Sequence, residues 1–222
     1  MLDYNAFNLY LIRHGQSAVN VIPDQMGQDP ETPLTDHGRL QAKLLRERFI
    51  KEKAGFMHVF SSDYTRALDT AKIVTEPHED TIQIHHDLRE YSAGDWKGTR
   101  RSEILDHKVL AKMGYMNNAF LPPNGESMNQ VERRVSLWME DNILYNKQIQ
   151  HEAAWHRDKG YPKMNIAVFS HGMTIKCLLH HIMGFDKSFT WKLTLENTSI
   201  SKLVFGEEGW RLITINDHAH LL

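Results

Sequence analysis

The sequence is short of cysteine, of charge of one sign and of long apolar runs, and each shortage excludes a class of protein. Cys177 stands alone among 222 residues, so an intramolecular disulfide and a cysteine-based zinc site are excluded. Lys and Arg number 26 against 28 Asp and Glu, and this net charge of -2 argues against a nucleic-acid partner. No apolar run approaches the ~20 residues that a membrane-spanning helix needs.

The histidine content is the one excess, with 14 histidines in the chain. No clustered motif of carboxylate and histidine ligands accompanies them, so we expect no metal ion and no cofactor. The first residues, MLDYNAF, lack a basic segment followed by an apolar stretch and do not resemble a secretory signal. We therefore expect a cytoplasmic protein without a membrane partner.

Apolar stretches of strand length alternate with helical patterns along the chain. The strand-like stretches are FNLYLI, MHVFSS, TIQIHHDLRE, MNIAVFS, SISKLVF and WRLITI. The helical patterns between them are LTDHGRLQAKLLRERFIKEK, DYTRALDTAKIVTE, a helix from Glu126 past Trp138 toward Lys147, and GMTIKCLLHHIM, which Gly184 ends. This order predicts an α/β fold, a three-layer α/β/α sandwich with a mostly parallel central sheet.

Local signals add detail to this prediction. Thr35 is the expected N-cap of the first helix, with Leu40, Leu44, Leu45 and Phe49 on its apolar face. Residues 94–123 read as irregular, and the polar segment 149–163 as a surface connection. We expect one domain over 1–222, with an insertion around 91–125 that caps the substrate.

Two of the predicted strands end on the same dipeptide. Arg13, His14 and a glycine follow FNLYLI, and His171 and Gly172 follow MNIAVFS. Ligands of open α/β sheets bind outside the carboxyl ends of the strands, so the two imidazoles face each other across one pocket if their strands are neighbours. Gly172 would then open a helix whose first N–H groups offer hydrogen bonds to an anion.

Arg66 adds a second arginine to this edge, because SSDYTRALDTA places it in the first helical turn after a strand. Guanidinium groups match phosphate oxygens bidentately, so Arg66 and Arg13 with the two histidines would form a cationic cage for a phosphoryl group. The alternative for Arg66 is an ion pair with Asp63 or Asp69 on its own helix.

Four segments together resemble a known family. LIRHGQSAVN, SSDYTRALDTA, LREYSAGDWKG and FSHGMTIK are similar, in the same order, to the signature blocks of the histidine phosphatase superfamily, also called phosphoglycerate mutase-like. TPLTDHGRLQA and PPNGESMNQVERRV resemble secondary blocks of that family, so the resemblance covers essentially the whole chain. It implies a phosphoglycerate mutase-like fold and an enzyme that needs no cofactor.

The resemblance also implies roles for single residues. His14 corresponds to the nucleophile that forms a phosphohistidine, and Glu90 to the general acid that protonates the leaving oxygen and then activates water. The residues expected to bind the phosphate are Arg13, Asn20, Arg66, His171 and Gly172. The assignment of Glu90 competes with Asp87 and Asp95 nearby. For Glu126 and Ser127, a helix start with Ser127 or Asn124 as the cap is favoured over a role in substrate binding.

The reaction class has three alternatives. LREYSAGDWKG lacks the ERHYG pattern of the glycolytic mutases and favours a phosphomonoester phosphatase over a mutase-type phosphoryl transferase. The third alternative is a phosphate-binding pseudo-enzyme. Such a protein would be expected to have lost His14 or Glu90, and both residues are present. The leaving group is open between a small phosphorylated metabolite, a nucleotide and a phosphoprotein, and residues expected to line its pocket are Tyr91, Trp96, Lys97, Arg100, Arg101, Tyr115 and Phe120.

Overall fold

The computed structural model describes residues 7–27, 29–76, 81–186 and 188–222. The prediction that no secretory signal is present concerns MLDYNAF, of which residues 1–6 lie outside this description. The strands are β1 (Phe7–Arg13), β2 (His58–Ser61), β3 (Ile82–Ile84), β4 (Met164–Ser170), β5 (Ile200–Gly206) and β6 (Gly209–Asp217). The α-helices are α1 (Asp36–Lys51), α2 (Thr65–Thr75), α3 (Arg101–Ile104), α4 (His107–Met116), α5 (Met128–Met139), α6 (Lys147–Asp158), α7 (Gly172–Met183) and α8 (Phe189–Lys192).

The strands form a single mixed sheet in the order β3-β2-β4-β1-β5-β6. The first four are parallel, whereas β5 runs antiparallel to β1, and β6 antiparallel to β5. In the parallel pair of β1 and β4, Phe7 lies opposite Met164 and Arg13 opposite Ser170. The two strands therefore end level with each other, and the two His-Gly dipeptides begin side by side.

Alternation along β1 accounts for the layers on the two sides of the sheet. Phe7, Leu9 and Leu11 join a core cluster with residues of α5, α6 and α7, whereas Tyr10 and Ile12 join a second cluster with residues of α1 and α2. Because successive side chains of a strand point to opposite faces, one apolar strand supports a helical layer on each side. The predicted three-layer α/β/α sandwich is confirmed.

Several local predictions are confirmed by hydrogen bonds and backbone angles. The Thr35 side chain accepts a hydrogen bond from the Gly38 N–H at 3.0 Å and caps α1. Gly184 ends α7 in the left-handed conformation, with φ at 62°. Ser127 caps α5 in a capping box with Gln130.

Three other predictions are wrong. Leu40 is 50% exposed, while Ala42 is fully buried on the inner face of α1. Residues 94–123 contain α3 and α4, and the segment 149–163 contains most of α6. The signals missed there were caps, because the side chains of Asp106 and Asn146 accept hydrogen bonds from the first-turn amides of α4 and α6. A turn of π-helix at Glu140–Leu144 separates α5 from α6.

Candidate active site

His14 and His171 lie together at the carboxyl edge of the sheet. Their ring centroids are 5.1 Å apart, and they are 1% and 0% exposed. This proximity follows from the level ends of β1 and β4, which place each histidine directly after its strand. The loop that carries His14 is held against α1, where a Cβ on Gly38 would lie 2.0 Å from the carbonyl oxygen of Gln16.

The hydrogen bonds of His14 select one tautomer. Its Nδ1 lies 2.7 Å from the carbonyl oxygen of Gly15, which can only accept, so Nδ1 carries the proton. Burial, together with the positive charges of Arg13 and Arg66, lowers the pKa of His14 well below 6.5. The ring is therefore neutral near pH 7, with the lone pair on Nε2.

His171 has one engaged and one unengaged nitrogen. Its Nε2 lies 2.9 Å from the Ser62 hydroxyl, which also accepts a hydrogen bond from the Tyr64 N–H at 3.2 Å. Within the part of the chain that the structure describes, the buried Nδ1 of His171 has no hydrogen-bond partner. Burial is the main cause that lowers the pKa of His171, followed by the charge of Arg66. Nδ1 of His171 is therefore the buried ring nitrogen that is left for a ligand.

Arg66, which is fully buried, and Arg13, which is partly exposed, do not use all of their hydrogen-bonding capacity. One nitrogen of Arg13 donates to the Leu195 carbonyl at 2.5 Å, and one of Arg66 to the Asp29 carbonyl at 3.0 Å. No partner among the described residues accepts from Nε of Arg13 or from Nε and Nη2 of Arg66. Burial lowers the pKa of Arg66 to about 10. Three N–H-bearing nitrogens in a dry site fit an oxyanion.

The alternative of an ion pair within α2 is excluded for Arg66. Asp63 is bound by Arg89 at 2.5 Å, and Asp69 by Arg39 at 3.1 Å. Arg66 is fully buried and instead stacks its guanidinium 4.9 Å from the centre of the Tyr64 ring.

Glu90 is the carboxylate that faces this cage. Its Oε1 accepts hydrogen bonds from the Tyr91 N–H at 2.9 Å and the Thr174 N–H at 3.2 Å, and its Oε2 from the Met173 N–H at 3.3 Å. These donors tie it to the first turn of α7 while it lines the adjoining cleft. The competing Asp87 and Asp95 do not line this cleft, and Asp95 accepts from the Asn124 side chain at 2.9 Å.

Asn20 and Gly172 both line the cleft, as expected for phosphate ligands. The Asn20 Oδ1 accepts from the N–H and the hydroxyl of Ser17, each at 3.0 Å, which turns the amide NH₂ away from that loop. A Cβ on Gly172 would meet Arg13 Nε at 3.6 Å, an ordinary contact. The space around residue 172 would thus accept alanine in the free protein.

The cleft has a volume of about 680 Å³, which is more than a phosphate alone fills. Of the seven residues predicted to line it, Tyr91, Trp96 and Arg101 do so. Lys97 instead pairs with Asp29 at 2.6 Å, Phe120 is buried against Trp96, and Tyr115 is 92% exposed. Arg100 is exposed outside the lining. The other lining residues include five that were not singled out from the sequence, namely Met113, Met128, Lys176, Trp191 and Leu195.

Hydrogen bonds from Arg134 and Glu126 hold the segment that carries Glu90, and the sequence did not predict them. Arg134 of α5 donates to the Asp87 carbonyl at 2.6 Å and to Glu126 Oε1 at 2.8 Å, and Glu126 Oε2 accepts from the Ser92 N–H at 3.1 Å. The i,i+8 pair of Glu126 and Arg134 thereby holds both sides of the segment that carries Glu90. Glu126 thus does more than begin a helix.

The part of the chain that the structure describes contains no group of three or more His, Cys, Asp or Glu side chains arranged to hold a metal ion. None of its helices combines the length and the apolar character needed to cross a bilayer.

Comparison with known proteins places the chain in a family. The family model described as histidine phosphatase superfamily (branch 1) matches residues 9–218. A protein of Hydrogenobacter thermophilus, provisionally named phosphoserine phosphatase 2, is 26% identical over 214 residues, which are 96% of each chain. A Yersinia pestis protein, provisionally named phosphoglycerate mutase GpmB, is 27% identical over 220 residues, covering 96% of this chain and 94% of its own.

Solved structures agree with this family. The structure of a mycobacterial glucosyl-3-phosphoglycerate phosphatase, 25% identical, matches with a TM-score of 0.78 and covers 95% of this chain and 99% of its own. Because the family model spans nearly the whole chain, and because these relatives are named as phosphatases or as a phosphoglycerate mutase, the protein belongs to the histidine phosphatase superfamily and is an enzyme that acts on phosphate esters.

Proposed function

We propose that the protein hydrolyses phosphomonoesters through a phosphohistidine on His14. The observation that carries the proposal is the neutral, buried His14, whose Nε2 lone pair lies in a cage with the unsatisfied N–H groups of Arg13 and Arg66. A nucleophile with a free lone pair beside preorganised cations is what phosphoryl transfer requires of a protein.

In the first step, Nε2 of His14 attacks phosphorus and the bond from phosphorus to the ester oxygen breaks. Glu90 gives its proton to the departing oxygen, so the alcohol leaves neutral. The phosphoryl oxygens accept hydrogen bonds from Arg13, Arg66, Asn20, Nδ1 of His171 and the N–H of Gly172. These donors are fixed before the reaction and stabilise charge on the equatorial oxygens.

In the second step, water attacks the phosphohistidine. Glu90 accepts a proton from that water, the bond from Nε2 to phosphorus breaks, and phosphate leaves with His14 neutral again. Residues 91–125 cap the leaving group in this proposal, within one domain over 1–222, because Tyr91, Trp96 and Met113 line the cleft beside Glu90. A small phosphorylated molecule fits a cleft of about 680 Å³. The cytoplasmic location stays a prediction.

The test is hydrolysis of phenyl phosphate in excess EDTA from pH 5 to 8, for the wild type, His14→Ala and the control His37→Ala, which changes an exposed histidine of α1. We expect turnover that survives the chelator, is lost in His14→Ala by more than about 10³-fold and is kept in the control. Quenching in alkaline detergent should trap a phosphoenzyme that is stable to base and lost in acid. Undiminished turnover in His14→Ala would contradict the nucleophile, and no turnover in the folded wild type would contradict the phosphatase.

A mutase is the second candidate, because one relative carries the provisional name phosphoglycerate mutase. The trapped phosphoenzyme separates the two reactions when it carries a radioactive phosphoryl group. A phosphatase releases the label as inorganic phosphate, whereas a mutase passes it to added phosphoglycerate. We expect release to water.

A further inference from the structure

The cleft contains one ammonium group that the proposed chemistry does not use. Lys176 lines the cleft on α7, four residues after Gly172, so the two lie on the same face of the helix about 5–6 Å apart. Among the described residues, nothing forms an ion pair with its ammonium or accepts a hydrogen bond from it. The charges of Arg13 and Glu90 both act on it.

Lys176 is only partly exposed, although an unpaired lysine ordinarily extends its charge into water. Burial is the main cause that lowers its pKa, with the charge of Arg13 adding to the effect. A half-desolvated ammonium is unfavourable in the free protein unless an anion joins it. The side chain therefore points to a second anionic group in the bound ligand, one helical turn away from the phosphate.

The residues that line the cleft around Lys176 indicate the chemical character of the rest of that ligand. Met128, Met173, Leu195 and Trp96 line the cleft with apolar surface. With about 680 Å³ available, a phosphate leaves most of the volume to the leaving group. An apolar or aromatic body fits this space.

The other charges of the cleft favour an anion of single charge. Arg13 belongs to the phosphate cage, Asp24 accepts hydrogen bonds from Ser102, and Arg101 is exposed at the rim. A dianionic second phosphate would be repelled by the first phosphate more strongly than a singly charged group would be. A carboxylate balances one ammonium with less repulsion.

We propose that Lys176 binds a carboxylate of the leaving alcohol, so that the preferred substrates are phosphomonoesters of hydroxy acids with an apolar or aromatic body. This inference rests on the proposed phosphatase function. Lys176 acts in it as a specificity-determining residue and takes no part in the bond changes at phosphorus.

The experiment compares 3-carboxyphenyl phosphate and 4-carboxyphenyl phosphate with the corresponding carboxamides, which have nearly the same shape without the charge. The readout is the ratio of kcat/KM for the carboxylate to that for the carboxamide, measured within each variant. We expect the wild type to prefer one carboxylate by about tenfold, which is the value of one charge-assisted hydrogen bond. The ratio should fall to about 1 in Lys176→Met and recover in part in Lys176→Arg.

Two further variants make the assignment specific. Lys72→Met changes an exposed lysine of α2 away from the cleft and should keep the wild-type ratio. Arg101→Met should also keep it. A preference that persists in Lys176→Met, or that disappears in Arg101→Met alone, would overturn the assignment to Lys176. Equal rates for carboxylates and carboxamides in an active wild type would overturn the inference alone, whereas no hydrolysis of any aryl phosphate would overturn the proposed function.

Discussion

Replacing Arg66 with methionine should make the free protein more stable while destroying its response to oxyanions. Arg66 is fully buried, and burial lowers its pKa to about 10 from 12.5. One pKa unit corresponds to about 1.4 kcal/mol, so the buried charge destabilises the fold by about 3 kcal/mol. At pH 7 this destabilisation is fully present, because pH 7 lies below the pKa of the group in both the folded and the unfolded chain.

Two favourable contacts of Arg66 offset part of this destabilisation. Its hydrogen bond to the Asp29 carbonyl is worth about 1.5 kcal/mol and its stacking on Tyr64 about 0.5–1 kcal/mol. Arg66→Met removes the charge together with both contacts. The free energy of unfolding should therefore rise by about 1 kcal/mol, which corresponds to a Tm about 2–4 °C higher for a chain of this size.

The assay is urea unfolding at pH 7 with and without phosphate or vanadate. Oxyanion at 100 times its Kd should stabilise the wild type by about 2.7 kcal/mol and leave Arg66→Met nearly unchanged. Arg39→Met is the matched control, because Arg39 pairs with Asp69 at the surface and its loss should change stability by less than about 0.5 kcal/mol. A variant less stable than the wild type, or one that oxyanions stabilise equally, would refute the reasoning.

Three further outcomes follow from single contacts. Because the pKa of His14 lies well below 6.5, the rate of phosphoenzyme formation should not fall with a midpoint near 6.5 as the pH is lowered from 8 to 5.5, and a midpoint there in stopped-flow data would contradict this. Gly38→Ala should lower the free energy of unfolding by about 2 kcal/mol, because a Cβ there would lie 2.0 Å from the backbone oxygen of Gln16. Gly55→Ala is the control: a Cβ on Gly55 would have no atom within 4 Å, and the variant should have the stability of the wild type in the same urea titration. Arg48→Met should lower the free energy of unfolding by about 1 kcal/mol at pH 7, after allowance for solvent screening, because Arg48 lowers the pKa of Asp217 from 3.8 to about 2. The difference in free energy of unfolding between the variant and the wild type should shrink in urea titrations as the pH falls toward 2. A difference that stays constant would argue against the ion pair.

The sequence predicted where the strands end better than it predicted which strands pair in the sheet. His14 and His171 could be placed after strands, because apolar runs and glycines mark those ends locally. That they meet depends on β1 pairing with β4, across 157 positions of the chain, and the pattern could state this only as a condition. The resemblance to the family supplied what local periodicity lacked.

Arg66 and Lys176 show why side-chain environments were harder to predict. Arg66 has acidic residues at helical spacing, so its own helix offered ion pairs, and only the tertiary structure shows those carboxylates bound elsewhere. Lys176 lies in an amphipathic helix, where a lysine ordinarily marks the solvated face. Its burial comes from packing against the cleft, which leaves no trace in the spacing of α7. The helix α6 was missed for a different reason, because its mostly polar sequence depends on Asn146 as a cap.

The position of Glu90 gives a reason for two guanidinium groups in the proposed phosphate site, although we expect the buried charge of Arg66 to destabilise the free protein. A helix N-terminus ordinarily supplies several N–H groups to a bound phosphate. Here the N–H groups of Met173 and Thr174 are taken by the Glu90 carboxylate, so Gly172 provides the first-turn N–H of α7 that Glu90 leaves to a ligand. Glu90 also brings a negative charge toward the site that must bind an anion. In the proposed function, the binding of a phosphoryl group would therefore depend on side-chain cations, with Arg13 and Arg66 supplying the positive charge that the helix alone does not.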